Sequence, residues 1–136
     1  MRAMSDKQLT GLDMKKQNRF FKSFCYAAQG IASAAQERNF KVDLAAAVGA
    51  FILCALLQVP AWGWAAVAVC VGAVLAAECA NTAIEAVVDL ASPEIHPLAK
   101  RAKDCAAASA LVLAVTSVFV ACVVFVPAAY RMFFGA

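Results

Sequence analysis

Two stretches of this chain carry no charge at all. Between Leu44 and Ala77 there is no Asp, Glu, Lys or Arg, and there is none from Cys105 to Tyr130. An α-helix needs roughly 20 apolar residues to cross a bilayer core of about 30 Å. A helix in a water-soluble protein normally keeps one polar face, so apolar character on every face for this length belongs in lipid. The rest of the composition agrees: 64% of the residues are apolar and 15% charged, with a mean hydropathy of +0.75. A water-soluble domain carries more charge than that. The net charge of +3 suits a protein at a membrane surface and is too small to point to nucleic acid.

Met1 to Lys41 is polar and basic, without the short apolar core and small-residue cleavage site of a signal peptide. Residues 1–17 read as a flexible lead-in. A helical period then places Phe20, Phe24, Ala27, Ile31 and Ala35 on one side and Lys22, Tyr26, Gln29, Ser33 and Gln36 on the other. This pattern predicts an amphipathic helix over 18–38, lying at the membrane interface with its basic residues near anionic headgroups. Transmembrane helices are expected over 42–59, 64–90 and 104–126, making 1–136 a single all-α membrane domain. Trp62 and Trp64 mark the first turn as interfacial, since tryptophan settles at headgroup depth. The six cysteines are scattered singly and read as small side chains for close contact between helices, with no metal-site spacing.

Basic residues set the orientation. Lys15, Lys16, Arg19, Lys22, Arg38 and Lys41 precede the first span, and Lys100, Arg101 and Lys103 lie in the second loop. The Trp62 turn has none, and the tail has only Arg131. The N-terminus and second loop are thus expected in the cytoplasm, with the Trp62 turn and tail outside.

The chemistry concentrates in Glu78-Cys-Ala-Asn81-Thr-Ala-Ile-Glu85-Ala-Val-Val-Asp89. On a helix, Glu78, Asn81, Glu85 and Asp89 fall within an arc of about 80°. Three acids so placed repel one another unless something positive sits among them. Ionisable groups at membrane depth are costly and by default functional. A Mg²⁺ ion would neutralise the stripe, and so would Lys100, Arg101 and Lys103; Glu37 and Lys41 form another charged group before the first span. Acids for metal and lysines for phosphate are the parts of a phosphoryl-transfer site. No P-loop, kinase Gly-rich loop or hydrolase elbow is present. Two other readings are a polar seam that only directs assembly, as in a scaffold, and an acid-lined channel. The channel fails because residues 65–77 offer no polar side chain apart from Cys70.

That segment, followed by His96-Pro-Leu-Ala-Lys100-Arg-Ala-Lys103-Asp104, closely resembles the signature of the prokaryotic diacylglycerol kinase and undecaprenol kinase family. The likeness extends from about Arg19 to the third span. It implies an integral membrane lipid kinase using ATP and Mg²⁺. It also implies a homotrimer of three-helix subunits with an interfacial N-terminal helix, multi-pass in the bacterial inner membrane, with sites shared between subunits on the cytoplasmic face. By the same likeness Glu78 is the catalytic base, Glu37 and Glu85 hold the metal with ATP phosphates, and Asn81 orders the carboxylates. Lys103 and Asp104 bind the nucleotide, Asp89 and Tyr26 border it, and Arg19 meets the lipid headgroup. His96 reads as structural or solvent-facing, with nucleotide contact as the alternative. Relatives specific for diacylglycerol tend to carry Gly-Ser where this chain has Ala106-Ala107 after Cys105. The Glu37-Arg-Asn-Phe string and the Pro-flanked His96 are more similar to the polyprenol branch. The expected acceptor is therefore undecaprenol, with diacylglycerol the alternative.

Overall fold

The computed structural model describes the backbone of residues 6–135 and the side chains of residues 19–135. Four helices follow one another: α1 (Asp6–Ala34), α2 (Arg38–Leu56), α3 (Ala61–Ala91) and α4 (Pro97–Phe134). Among the described residues there is no strand. The last three helices are each long and apolar enough to cross a membrane. Their outer faces confirm that lipid is the solvent: Val69, Phe119 and Phe133 are all 70% or more exposed, a surface water would not tolerate over this extent. The protein is all-α and membrane-spanning.

Residues up to Ser33 form one compact unit and Ala34 onwards a second. In the first, Phe20 meets Phe24 edge to face at a centroid distance of 5.0 Å, and Phe20, Phe21, Phe24 and Ile31 are all exposed. Part of the expected lead-in, residues 1–5, lies outside the described residues, whereas residues 6–17 are helical. The helix also stops at Ala34, four residues before the expected end, because a turn over 35–37 intervenes.

In the second unit α2 ends in a turn that the backbone specifies closely. Gln58 takes a positive φ of 50°. The Val59 N–H then bonds the Cys54 carbonyl at 3.0 Å and the Gln58 N–H bonds Ala55 at 3.3 Å. These two bonds are the Schellman arrangement that satisfies carbonyls at a helix end. Pro60 follows and α3 begins at Ala61. A Cβ on Gly63 would collide with the Val59 side chain and approach Val124 Cγ1 at 3.1 Å, so glycine lets three segments meet here. Around this point Cys54, Val59, Val67, Val124 and Ala128 form the buried core, and Trp64 stacks on Phe51.

Helix lengths then position the site. α2 has 19 residues and α3 has 31, and the tight turn holds their joined ends level. The far end of α3 therefore extends about 18 Å past the start of α2 at 1.5 Å per residue. That overhang carries Asn81, Glu85 and Asp89, while Glu78 lies just short of it, level with the start of α2. α4 continues through Pro127 to Phe134 instead of stopping near Pro127 as expected. Proline removes one backbone donor, a loss that a membrane helix otherwise free of strain absorbs.

Candidate active site

The buried stripe of α3 runs Gly63, Val67, Val74, Glu78, Asn81, so the polar residues continue the same seam that packs the helix against its neighbours. On α4 the contact at Val124 and the pair formed by Lys103 and Asp89 fix an antiparallel register. That register sets Ala106 and Ala110, both buried, opposite the stretch from Glu78 to Glu85. Small residues there allow a close helix approach. Glu78 and Asn81 are each 7% exposed, Glu85 is half-buried and Asp89 exposed. One stripe thus passes from a dry end to a wet one.

Asn81 Nδ2 donates to Glu85 Oε1 at 3.0 Å, which orients that carboxylate. Its other end, Oδ1, is buried without a hydrogen-bond partner. An unsatisfied buried acceptor costs about 1–3 kcal/mol, so the arrangement is costly unless a donor or a cation arrives. Thr82 Oγ1 donates to the Glu78 backbone carbonyl at 2.9 Å, and the Glu78 carboxylate makes no side-chain hydrogen bond to another described residue.

Sequence reasoning missed one acid. Asp43, on the second turn of α2, is an electrostatic neighbour of Glu78, as is Glu85. It is also the one charge lining a cavity of about 260 Å³ between the three long helices, whose walls include Val71, Leu75 and Phe125. A signal was available: Asp43 lies on the stripe of α2 that buries Phe40, Ala47 and Cys54, at helical spacing from each.

At the wet end, a cleft of about 320 Å³ opens where α3 and α4 meet, lined in part by Asp89, Ser92, His96, Lys100, Lys103 and Asp104. Lys103 Nζ lies 2.6 Å from Asp89 Oδ1, and Lys100 Nζ lies 2.6 Å from Asp104 Oδ2 one turn away on α4. His96 is the N-cap of α4: its Nδ1 accepts the Leu98 N–H at 3.2 Å, and Pro97 fills the first helical position, where its missing donor does no harm. That bond gives His96 a structural role and leaves Nε2 as its other polar atom.

Glu37 is the N-cap of α2, exposed, and makes no capping bond with its side chain. Lys41 turns back to donate to the Gln36 carbonyl at 2.8 Å. Arg19 and Tyr26 are exposed on α1, in the other unit. Among the described residues no three acid, histidine or cysteine side chains gather to hold a metal unaided. Mg²⁺ does not need such a cage; it takes one or two carboxylates and completes its shell with phosphate oxygens and water. Glu85, fixed by Asn81, and the unpaired Asn81 Oδ1 are hard oxygen atoms of that kind, so the residues present fit the ion.

Residues 25–125 match the prokaryotic diacylglycerol kinase family. The chain belongs to this family. Among its relatives, undecaprenol kinase of Bacillus subtilis is 42% identical over 111 residues, covering 81% of this chain and 90% of that one. Diacylglycerol kinase of Synechocystis is 40% identical over 72% of this chain, which spans 57% of the relative's length. Diacylglycerol kinase of Helicobacter pylori is 32% identical over 69% of this chain and 74% of the relative. Membership of the prokaryotic diacylglycerol kinase family makes the chain a membrane lipid kinase, a phosphotransferase with an alcohol acceptor and ATP as donor.

Proposed function

We propose that this kinase transfers the γ-phosphate of Mg-ATP to the hydroxyl of undecaprenol in preference to diacylglycerol, working as a homotrimer at the cytoplasmic face of a bacterial inner membrane. The observation that carries the substrate choice is the 42% identity to an undecaprenol kinase over 81% of this chain and 90% of that one. Side-chain chemistry agrees. Both lipids present one primary hydroxyl at the interface, but diacylglycerol adds two ester carbonyls that need donors. Ala107 is exposed on α4 just beyond Asp104 and offers none.

The division of labour follows depth along α3. Glu78 sits two turns from Glu85, about 10 Å at 1.5 Å per residue, on the bilayer side where a lipid hydroxyl arrives. As base it takes the proton while the hydroxyl oxygen bonds to the γ-phosphorus and the bond to the bridging oxygen of ADP breaks. Glu85 and Glu37 hold the metal, with Asn81 keeping Glu85 in place. When bound, Mg²⁺ neutralises charge on the phosphates. Lys103 and Asp104 bind the nucleotide, Lys103 at a phosphate, and Asp89 borders it.

Side-by-side kcat/KM values for undecaprenol and diacylglycerol in mixed micelles test the substrate. A tenfold advantage for diacylglycerol overturns the preference. Glu78→Gln tests the base. Turnover should fall about 10²-fold or more while nucleotide affinity holds, because glutamine accepts no proton; near-normal kcat removes Glu78 from that role.

A further inference from the structure

The ammonium assigned above to phosphate is already engaged. Lys103 Nζ meets Asp89 Oδ1 at 2.6 Å across the gap between α3 and α4, inside the cleft that His96, Lys100 and Asp104 also line. Asp89 has reason to hold it. It lies in the last turn of α3, which ends at Ala91, and the C-terminal end of a helix repels a carboxylate. A cation brought from the second turn of α4 relieves that repulsion. The second lysine of the cleft is paired too, with Asp104. A polyphosphate entering here meets two carboxylates, each already on a lysine.

We propose that Asp89 is a positioning residue that gates the nucleotide site: it holds Lys103 ready and surrenders it to a phosphate oxygen when the nucleotide binds. This inference rests on Lys103 being a phosphate ligand, and it changes the part played by Asp89 from bordering the nucleotide to competing with it. The physical basis is an exchange between two anions for one ammonium. The pair is a weak latch, since Asp89 is 66% exposed and Lys103 37% at the side chain, and exposed ion pairs hold only loosely. A polyphosphate carries several negative charges and displaces one carboxylate readily. What the latch provides is a lysine already directed into the cleft.

Calorimetric titration of the purified full chain in detergent micelles, with Mg²⁺ and a non-hydrolysable ATP analogue, tests this. Asp89→Asn removes the competitor, so the analogue should bind about two- to fivefold tighter at low salt. The gain should shrink as NaCl screens the pair in the parent protein. Asp89→Glu keeps the competitor and should match the parent. In a Lys103→Met background, Asp89→Asn should change nothing, because there is no longer a lysine to release. Weaker binding of both the analogue and plain adenosine to Asp89→Asn overturns the gate and makes Asp89 a direct ligand. An effect of equal size with and without Lys103 also overturns it, as does unchanged affinity of Asp89→Asn. The underlying assignment fails separately: it is lost if Lys103→Met alone leaves analogue affinity intact.

Discussion

Asn81 donates a 3.0 Å hydrogen bond to Glu85 one turn further along α3, while its own carbonyl oxygen stays buried and unpartnered. The amide is therefore half committed: one end fixes a carboxylate and the other waits for a positive partner. Removing it should loosen the proposed metal site, because Glu85 loses the donor that orients it and the unpaired oxygen of Asn81 goes too. For Asn81→Ala we expect kcat/KM for Mg-ATP to fall about tenfold or more, the scale of a lost bond to a charged group. Raised Mg²⁺ should restore part of the loss. A variant with unaltered Mg²⁺ dependence would assign Asn81 to helix packing alone.

Adding a donor beside the helical turn of Lys103 and Asp104, the turn proposed to bind the nucleotide, should shift acceptor choice. Ala107→Ser places a hydroxyl on the exposed face of α4, within the stretch level with the acid stripe. A single net hydrogen bond of about 1 kcal/mol is worth roughly fivefold. The kcat/KM ratio of diacylglycerol to undecaprenol should rise by that factor. Parallel changes for both lipids would mean that the position does not read the acceptor.

The far end of the bundle offers a test of packing. A Cβ at Gly63 has no room beside Val59 and Val124, so Gly63→Ala should destabilise by about 1–3 kcal/mol, the usual cost of overfilling a core. Thermal unfolding in detergent should show a lowered midpoint. Val59→Ala in the same chain should recover much of it, since the nearest clash is with that side chain. A midpoint unmoved by Gly63→Ala would mean that the turn is looser than its geometry.

Orientation can be read directly. In a background with the six free cysteines replaced, Ala61→Cys and Glu94→Cys put thiols at exposed positions on opposite ends of α3. A membrane-impermeant reagent applied outside the cell should label position 61 and spare position 94. The reverse pattern would separate the carboxylates from cellular ATP.

Sequence alone determined what depends on one helix at a time. Charge-free runs are long enough to span lipid whatever they pack against, and the period of 3.6 puts Glu78, Asn81, Glu85 and Asp89 on one stripe before any partner is known. Meetings between helices were a different matter, because they depend on register, and register is set by contacts far apart in the chain. The Gly63 turn levels α2 with α3, which brings Asp43 into electrostatic range of Glu78, a neighbour that spacing within α3 does not reveal. Lys103 reaches Asp89, and Lys100 only Asp104, because α3 and α4 cross their short loop in one particular alignment. Local periodicity chose which side chains share a face; only the tertiary structure decided which faces meet, since side-chain volumes and one glycine set the slide of each helix against the next.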